Sequence, residues 1–221
     1  MNLNISYLTG VLQTDGCIYK FEDKKRNKII HRFRIKVSKK SLPMLSKIKE
    51  ILKQEFDRDV SVLKLGINEY GKEVFSLEAN ITSLLPKFEK LGISKKILSN
   101  SIISNKKNFC AYLAGVIDGD GNICIKRPEY PQCRIKITSE SKNELLKKLI
   151  EKYLNCKSWT EISISRYKGL VGVKKKNGFA FNQCFYVSPK NLLIFRNFVR
   201  PYIQISYKKA TLDKFFSMKE N

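Results

Sequence analysis

Apolar residues recur at helical spacing near the start of the chain: Ile5, Leu8, Val11 and Leu12 fall on one face of NISYLTGVLQ. This predicts a helix that stops at Asp15-Gly16, glycine being the residue that most readily leaves a helix. The period then changes to two. In HRFRIKVSK, Phe33, Ile35 and Val37 lie on one side and Arg32, Arg34, Lys36 and Ser38 on the other, the signature of a strand with one buried face. Ser41 and the neighbouring proline predict a capped helix over 41–55. Two more strands follow at 60–66 and 73–79, then a helix at 82–91.

The whole pattern returns. Residues 7–18, YLTGVLQTDGCI, reappear as 112–123, YLAGVIDGDGNI, so Asp15 and Asp120 are matched acids 105 positions apart. RFRIKVSKKS (32–41) matches CRIKITSESK (133–142), where Cys133, Ile135 and Ile137 alternate with Arg134, Lys136 and Thr138. Looser matches join EVFSLEANITSLLPKF to QCFYVSPKNLLIFRNF and GISKKIL to QISYKKATL. The chain therefore divides into two tandem αββαββα copies, 1–98 and 109–221, joined by SNSIISNKKN at 99–108. The fold class is α+β, with sheets that are apolar on one face and polar and basic on the other.

Composition supplies a partner. Lys and Arg number 43 against 20 Asp and Glu, a net charge of +23, which points to a polyanion such as nucleic acid. No apolar run approaches the roughly 20 residues of a membrane-spanning helix. The N-terminus lacks the basic start and apolar middle of a signal peptide, so an intracellular, unsecreted protein without membrane contact is expected. The six cysteines form no CxxC pair and read as reduced thiols, most of them in the core. A single histidine, His31, excludes two-histidine metal sites and argues against HNH-type nuclease chemistry. Catalysis, if any, runs on carboxylates and lysines.

A lone Asp-Gly after an apolar helix is usually a turn, but two matched ones suggest a site. Gly10 in the first helix and Ala114, Gly115 and Gly119 in the second would let the two backbones approach closely. Side by side about a pseudo-twofold axis, the helices would bring Asp15 next to Asp120. Two carboxylates at helix C-termini favour a divalent cation, and Mg²⁺ with water and phosphate oxygens suits them. On the polar strand faces, Arg32, Arg34, Lys36, Ser38, Arg134, Lys136 and Thr138 are candidates for base edges in a major groove. Lys126 and Arg127, the basic loop at 24–28, and KGLVGVKKKNG (168–178) are candidates for phosphates. Trp159 and the phenylalanines read as core, and periodicity leaves open whether Cys17 and Cys124 face core or ligand.

LTGVLQTDG (8–16) and LAGVIDGDG (113–121) resemble the two motifs of a single-chain LAGLIDADG homing endonuclease, and the order of elements around them extends the resemblance over most of the chain. The resemblance implies halves related by a pseudo-twofold axis, each with a curved antiparallel sheet, together forming a DNA-binding saddle. It implies catalytic metal held by Asp15 and Asp120, with help from the carbonyls of Thr14 and Gly119. The expected cofactor is Mg²⁺, with Mn²⁺ able to substitute and Ca²⁺ supporting binding without cleavage. The activity implied is hydrolysis of both strands of a long asymmetric double-stranded DNA target, leaving 3′ overhangs, by a monomer. Gln13 stands where the family often has an acid, whereas Asp118 keeps it, a position tied to helix packing or capping. Family glutamines near the scissile phosphates map onto Lys39 and Ser139, and family lysines map onto Lys95 and Lys208, with Lys96 and Lys209 next to them. The competing reading is a non-cleaving nucleic-acid binder on the same scaffold, either a DNA-binding regulator or an intron RNA maturase.

Overall fold

A computed structural model describes residues 2–93, 97–127, 129–164 and 179–220. It contains two compact units. The first comprises Met1–Gly119 with Tyr202–Lys209, and the second Asp120–Pro201 with Ala210–Asn221.

In the first unit, α1 (Leu3–Thr14) begins where the Asn2 side chain accepts the Asn4 N–H at 2.9 Å and ends at Asp15, whose N–H reaches the Val11 carbonyl. Strands β1 (Gly16–Asp23) and β2 (Lys28–Ser38) form a hairpin. Gly16 leaves the helix without a left-handed φ. Its backbone instead lies so close to Leu12 that an added Cβ would stand 2.4 Å from that carbonyl oxygen. Helix α2 (Leu42–Phe56) starts with proline in its first turn, as the sequence suggests, but the Ser41 side chain makes no capping bond. It ends at Asp57, which takes a left-handed φ of 50°. Strands β3 (Val62–Ile67) and β4 (Glu73–Asn80) complete a sheet of order β1-β2-β4-β3. The helix expected at 82–91 is a 3-10 turn at Thr82–Leu84 followed by α3 (Leu85–Lys90). The alternation read in β2 is real: Phe33, Ile35 and Val37 are buried with Leu77 and with Met44, Leu45, Ile48, Ile51 and Leu52 of α2.

The stretch read as a linker contains α4 (Asn100–Ile103), and α5 (Lys106–Asp120) follows. Glycines set how closely α1 and α5 meet. A Cβ on Gly10 would lie 2.2 Å from the Tyr112 carbonyl oxygen, and one on Gly115 2.2 Å from that of Tyr7. The close backbone approach expected from the small residues is thus present.

The second unit repeats the plan with β5 (Gly121–Lys126), β6 (Gln132–Ser139), α6 (Glu144–Leu154), β7 (Ser158–Ile164) and β8 (Phe179–Val187), in sheet order β5-β6-β8-β7. Asn143 caps α6 by accepting the Leu146 N–H at 2.9 Å. The core joins Cys133, Ile135, Ile137, Phe185 and Val187 to Leu146, Leu149, Ile150 and Leu154. The short α7 (Leu192–Ile194) runs into a π-helical turn at Phe195–Val199, and α8 (Ser206–Glu220) closes the chain. Both sheets are antiparallel, so the architecture is α+β with two sheets of matching topology.

Candidate functional site

Each matched acid ends a motif helix: Asp15 caps α1 and Asp120 is the last residue of α5. Between them in role stands Gly119, one turn end of α5 laid directly on the end of α1. A Cβ added there would sit 2.0 Å from Thr14 Oγ1 and 3.5 Å from Asp15 Oδ2. Three of the four residues expected to hold metal, Thr14, Asp15 and Gly119, therefore share one spot. The Thr14 hydroxyl donates back to its own helix, 2.9 Å from the Val11 carbonyl and 3.1 Å from that of Gly10. Among the described residues no three His, Cys, Asp or Glu side chains cluster as a metal-binding group.

Two residues before each acid stands a polar side chain, Gln13 and Asp118. Asp118 accepts the Tyr7 hydroxyl at 2.8 Å, the Gln204 N–H at 2.7 Å and the Ile205 N–H at 3.3 Å. Burial pushes its carboxyl above the ordinary aspartate value, opposed by the Gln204 and Tyr7 donors and the Lys208 charge. Gln13 occupies the equivalent place on α1. It accepts the Tyr112 hydroxyl at 2.9 Å and donates to the carbonyls of Gly92 at 3.1 Å and Ile97 at 3.5 Å. Tyr207, in the first turn of α8, is raised above the usual phenol value by burial and then by the charges of Asp118 and Asp15.

Of the two expected catalytic lysines, Lys95 lies outside the described residues, as do its neighbour Lys96 and the loop 168–178. Lys208 is in view and is only 4% exposed, its ammonium 2.7 Å from the carbonyl oxygens of both Ile117 and Asp118.

The polar sheet faces carry the predicted basic residues in more elaborate company than alternation suggests. On the first sheet Arg32 pairs with Glu78 at 2.8 Å and Arg34 approaches the same carboxylate at 3.9 Å. Their guanidiniums lie over the rings of Phe21 and Tyr19, at 4.9 and 5.0 Å from the centroids. Although burial pushes the Glu78 carboxyl up, hydrogen bonds from Tyr19 and Arg32 and the charges of both arginines hold it below its usual range. Lys36 is exposed, Ser38 precedes the short 3-10 turn, and Lys39 within that turn pairs with Glu73 at 2.9 Å.

On the second sheet Arg134 is paired with Glu161 and lies 5.7 Å from the centroid of Trp159, which stacks on Tyr186 at 5.2 Å. Trp159, read from sequence as core, is thus part of the polar face, and its indole N–H donates to Glu161 at 2.9 Å. That bond, with Arg134, lowers the Glu161 carboxyl. Thr138 donates to Asn182 at 2.9 Å, and the Ser139 hydroxyl donates to the Ser141 carbonyl at 2.6 Å. Lys136 is half-buried, while Lys126 and Arg127 are exposed at the hairpin end, Arg127 with a left-handed φ of 53°. Pairing across the strands places Cys17 opposite Arg34 and Cys124 opposite Arg134, on the polar faces. Sequence reasoning missed Tyr19, Glu78, Glu161 and Tyr186 because only strand pairing puts them beside the arginines.

No protein-family model matches this chain and no curated protein sequence matches it. Solved structures do. I-DmoI in complex with DNA and Ca aligns over 97% of this chain and 100% of its own, at 14% identity and a TM-score of 0.60. The I-LtrWI LAGLIDADG homing endonuclease bound to target DNA aligns over 99% and 91%, at 16% identity and a TM-score of 0.54. The chain has the LAGLIDADG homing endonuclease fold. A variant of I-SmaMI agrees, at 17% identity over 100% of this chain and a TM-score of 0.56. Two further similar structures are an I-DmoI variant in complex with its target DNA in the presence of Mg, and I-DmoI in complex with DNA and Mn. No helix among the described residues is long and apolar enough to cross a membrane.

Proposed function

We propose that this protein is a divalent-metal-dependent, site-specific DNA endonuclease that cuts both strands of a long asymmetric target and leaves 3′ overhangs. The observation that supports it most directly is the contact of Gly119 with Thr14 and Asp15, at the ends of the two motif helices. Asp15 and Asp120 would hold the cation, with the Thr14 and Gly119 carbonyls as neutral donors. A bound Mg²⁺ would supply Lewis acidity toward a phosphodiester and its attacking water. The chain's own contribution is positioning. The carboxylates stand at the C-terminal ends of α1 and α5, where the helix dipole is negative and a cation is favoured. The polar sheet faces would hold the duplex. Lys36, Lys126 and Arg127 are exposed for backbone contact, while the arginines held by Glu78 and Glu161 present oriented forks to base edges. Both acids come from one chain, so the working unit is a monomer.

The test is incubation of the protein with Mg²⁺ and a randomised duplex library, followed by sequencing of the cut ends. A defined cleavage site is expected, with Asp15→Asn and Asp120→Asn each abolishing cleavage while Ca²⁺-supported binding survives. Tight sequence-specific binding with no cleavage under any divalent ion would replace this reading with a non-cleaving regulator. Selective binding of a structured intron RNA, again without cleavage, would replace it with a maturase.

A further inference from the structure

The last four carbonyls of a helix have no intrahelical donor, and many helices satisfy some of them with a left-handed cap. Helix α5 does not: none of Gly119, Asp120 and Gly121 has a positive φ, and the chain passes straight into β5. The donor arrives from elsewhere. Lys208 reaches the carbonyls of Ile117 and Asp118 at 2.7 Å each, bringing positive charge to the negative end of the helix dipole.

The same segment is tied back by the Asp118 side chain. Its carboxylate accepts the N–H groups of Gln204 and Ile205, and the Ile205 carbonyl in turn accepts the Lys208 N–H at 3.0 Å. A closed ring of hydrogen bonds thus joins the last turn of α5 to the start of α8. Its charged members are buried, Asp118 at 1% exposure and Lys208 at 4%. Taking an ammonium out of water is costly unless it is hydrogen-bonded and near an opposite charge, and here two carbonyls accept from it and its charge acts on the Asp118 carboxyl. An ammonium fixed on two main-chain carbonyls is poorly placed to meet a phosphate arriving from solvent.

We propose that Lys208 is a positioning residue: with Asp118 it fixes the last turn of α5 and so the direction in which Asp120 leaves that helix. This deepens the endonuclease reading and rests on it. The experiment compares the full-length native chain with Lys208→Met, Lys208→Arg, Asp118→Asn and the Lys208→Met/Asp118→Asn double variant. Three quantities are read: single-turnover cleavage of the selected duplex in Mg²⁺, affinity for it in Ca²⁺, and amide hydrogen exchange across residues 117–123.

Lys208→Met should slow cleavage by about 100-fold, the cost of a small misplacement of a reacting group. Its DNA affinity should stay near native and exchange should quicken at the junction of α5 with β5. Lys208→Arg, which keeps the cation, should recover most of the rate. The double variant should be no slower than the slower single variant, because the two side chains act as a unit. Native cleavage with native exchange in Lys208→Met overturns the proposal. So does a rate loss matched by an equal loss of DNA affinity and additive with Asp118→Asn, the mark of a lysine that touches phosphate. If circular dichroism shows Lys208→Met unfolded, Asp118→Asn, which keeps the shape and an acceptor oxygen, carries the same measurements. If the native chain cuts nothing, the endonuclease reading fails and exchange alone decides: unchanged exchange in the variants then overturns the helix-end role.

Discussion

The ends of the two motif helices perform one task with opposite polarity. On α1, neutral Gln13 donates to the carbonyls of Gly92 and Ile97. On α5, Asp118 accepts the N–H groups of Gln204 and Ile205. In each case a tyrosine from the other helix donates its hydroxyl, Tyr112 to Gln13 and Tyr7 to Asp118. The replacement of acid by amide is therefore no loss. The segment after α3 offers carbonyls and the segment before α8 offers N–H groups, and each motif helix carries the complementary side chain. The difference lies in cost: the α5 end keeps two buried charged groups that act on each other, Asp118 and Lys208, the α1 end only amide and hydroxyl groups.

What the ends share should be the most damaging to remove. Gly10→Ala and Gly115→Ala each drive a methyl group into the facing backbone at 2.2 Å, a contact that no rotamer change relieves. Each should cost about 3 kcal/mol, lowering the midpoint of thermal unfolding by roughly 10 °C, measured by circular dichroism. Tolerance of one but not the other would show that the crossing is not shared equally. The polarity difference predicts the next effect. Asp118→Ala strands the Lys208 ammonium without its counter-charge and should cost about 3 kcal/mol or more. Gln13→Ala removes only neutral hydrogen bonds and should cost about 1–2 kcal/mol. Equal losses in chemical denaturation would break the distinction.

The sheet faces differ in the same sense, since Glu78 faces two arginines and Glu161 faces one. If those acids restrain the arginines from phosphate, Glu78→Gln should free more cation than Glu161→Gln. The slope of log affinity for DNA against log salt should then steepen by about 2 in the former and about 1 in the latter, as anisotropy titrations would show.

Alternation and repetition made much of this legible. They located both sheets, the buried faces of β2 and β6, the close approach of α1 and α5, and the two acids. Adjacent strands were harder. Trp159 was assigned to the core on its apolarity, yet it is paired across from Cys184, on the face that carries Arg134, and its N–H finds Glu161 there. The burial of Lys208 has a signal in the sequence. It stands four, seven and eight residues before Leu212, Phe215 and Phe216, all buried, so helical spacing puts it on the inward stripe of α8. Its carbonyl partners were not readable, because they come from a helix about ninety residues earlier.

The smallest effect concerns the outer edges of the sheets. At the first, Glu73 opens β4 and is gripped by Lys64 of β3 and by Lys39. At the second, the corresponding strands expose Ile162 and Phe179, and β8 opens on that phenylalanine where β4 opens on an acid. The hydrogen bonds from Lys64 and then Lys39 lower the Glu73 carboxyl from 4.5 to about 2. A lowered acid stabilises the fold where it is ionised in both states, and that stabilisation is lost as it becomes protonated. The contribution of Glu73 is therefore fully present above pH 4.5 and fades as pH falls toward 2. Because the group is only half-buried and its lysine partners are exposed, the effect is modest and should shrink further in salt. Glu73→Gln should lower the unfolding midpoint slightly at neutral pH and match the native chain near pH 2. The protein's single tryptophan lies on the second sheet, so the acid-dependent change should appear in backbone dichroism with little change in Trp159 fluorescence. A fluorescence change of the same size and midpoint would mean that the two sheets respond to acid together, removing the edge from the list of differences between the halves.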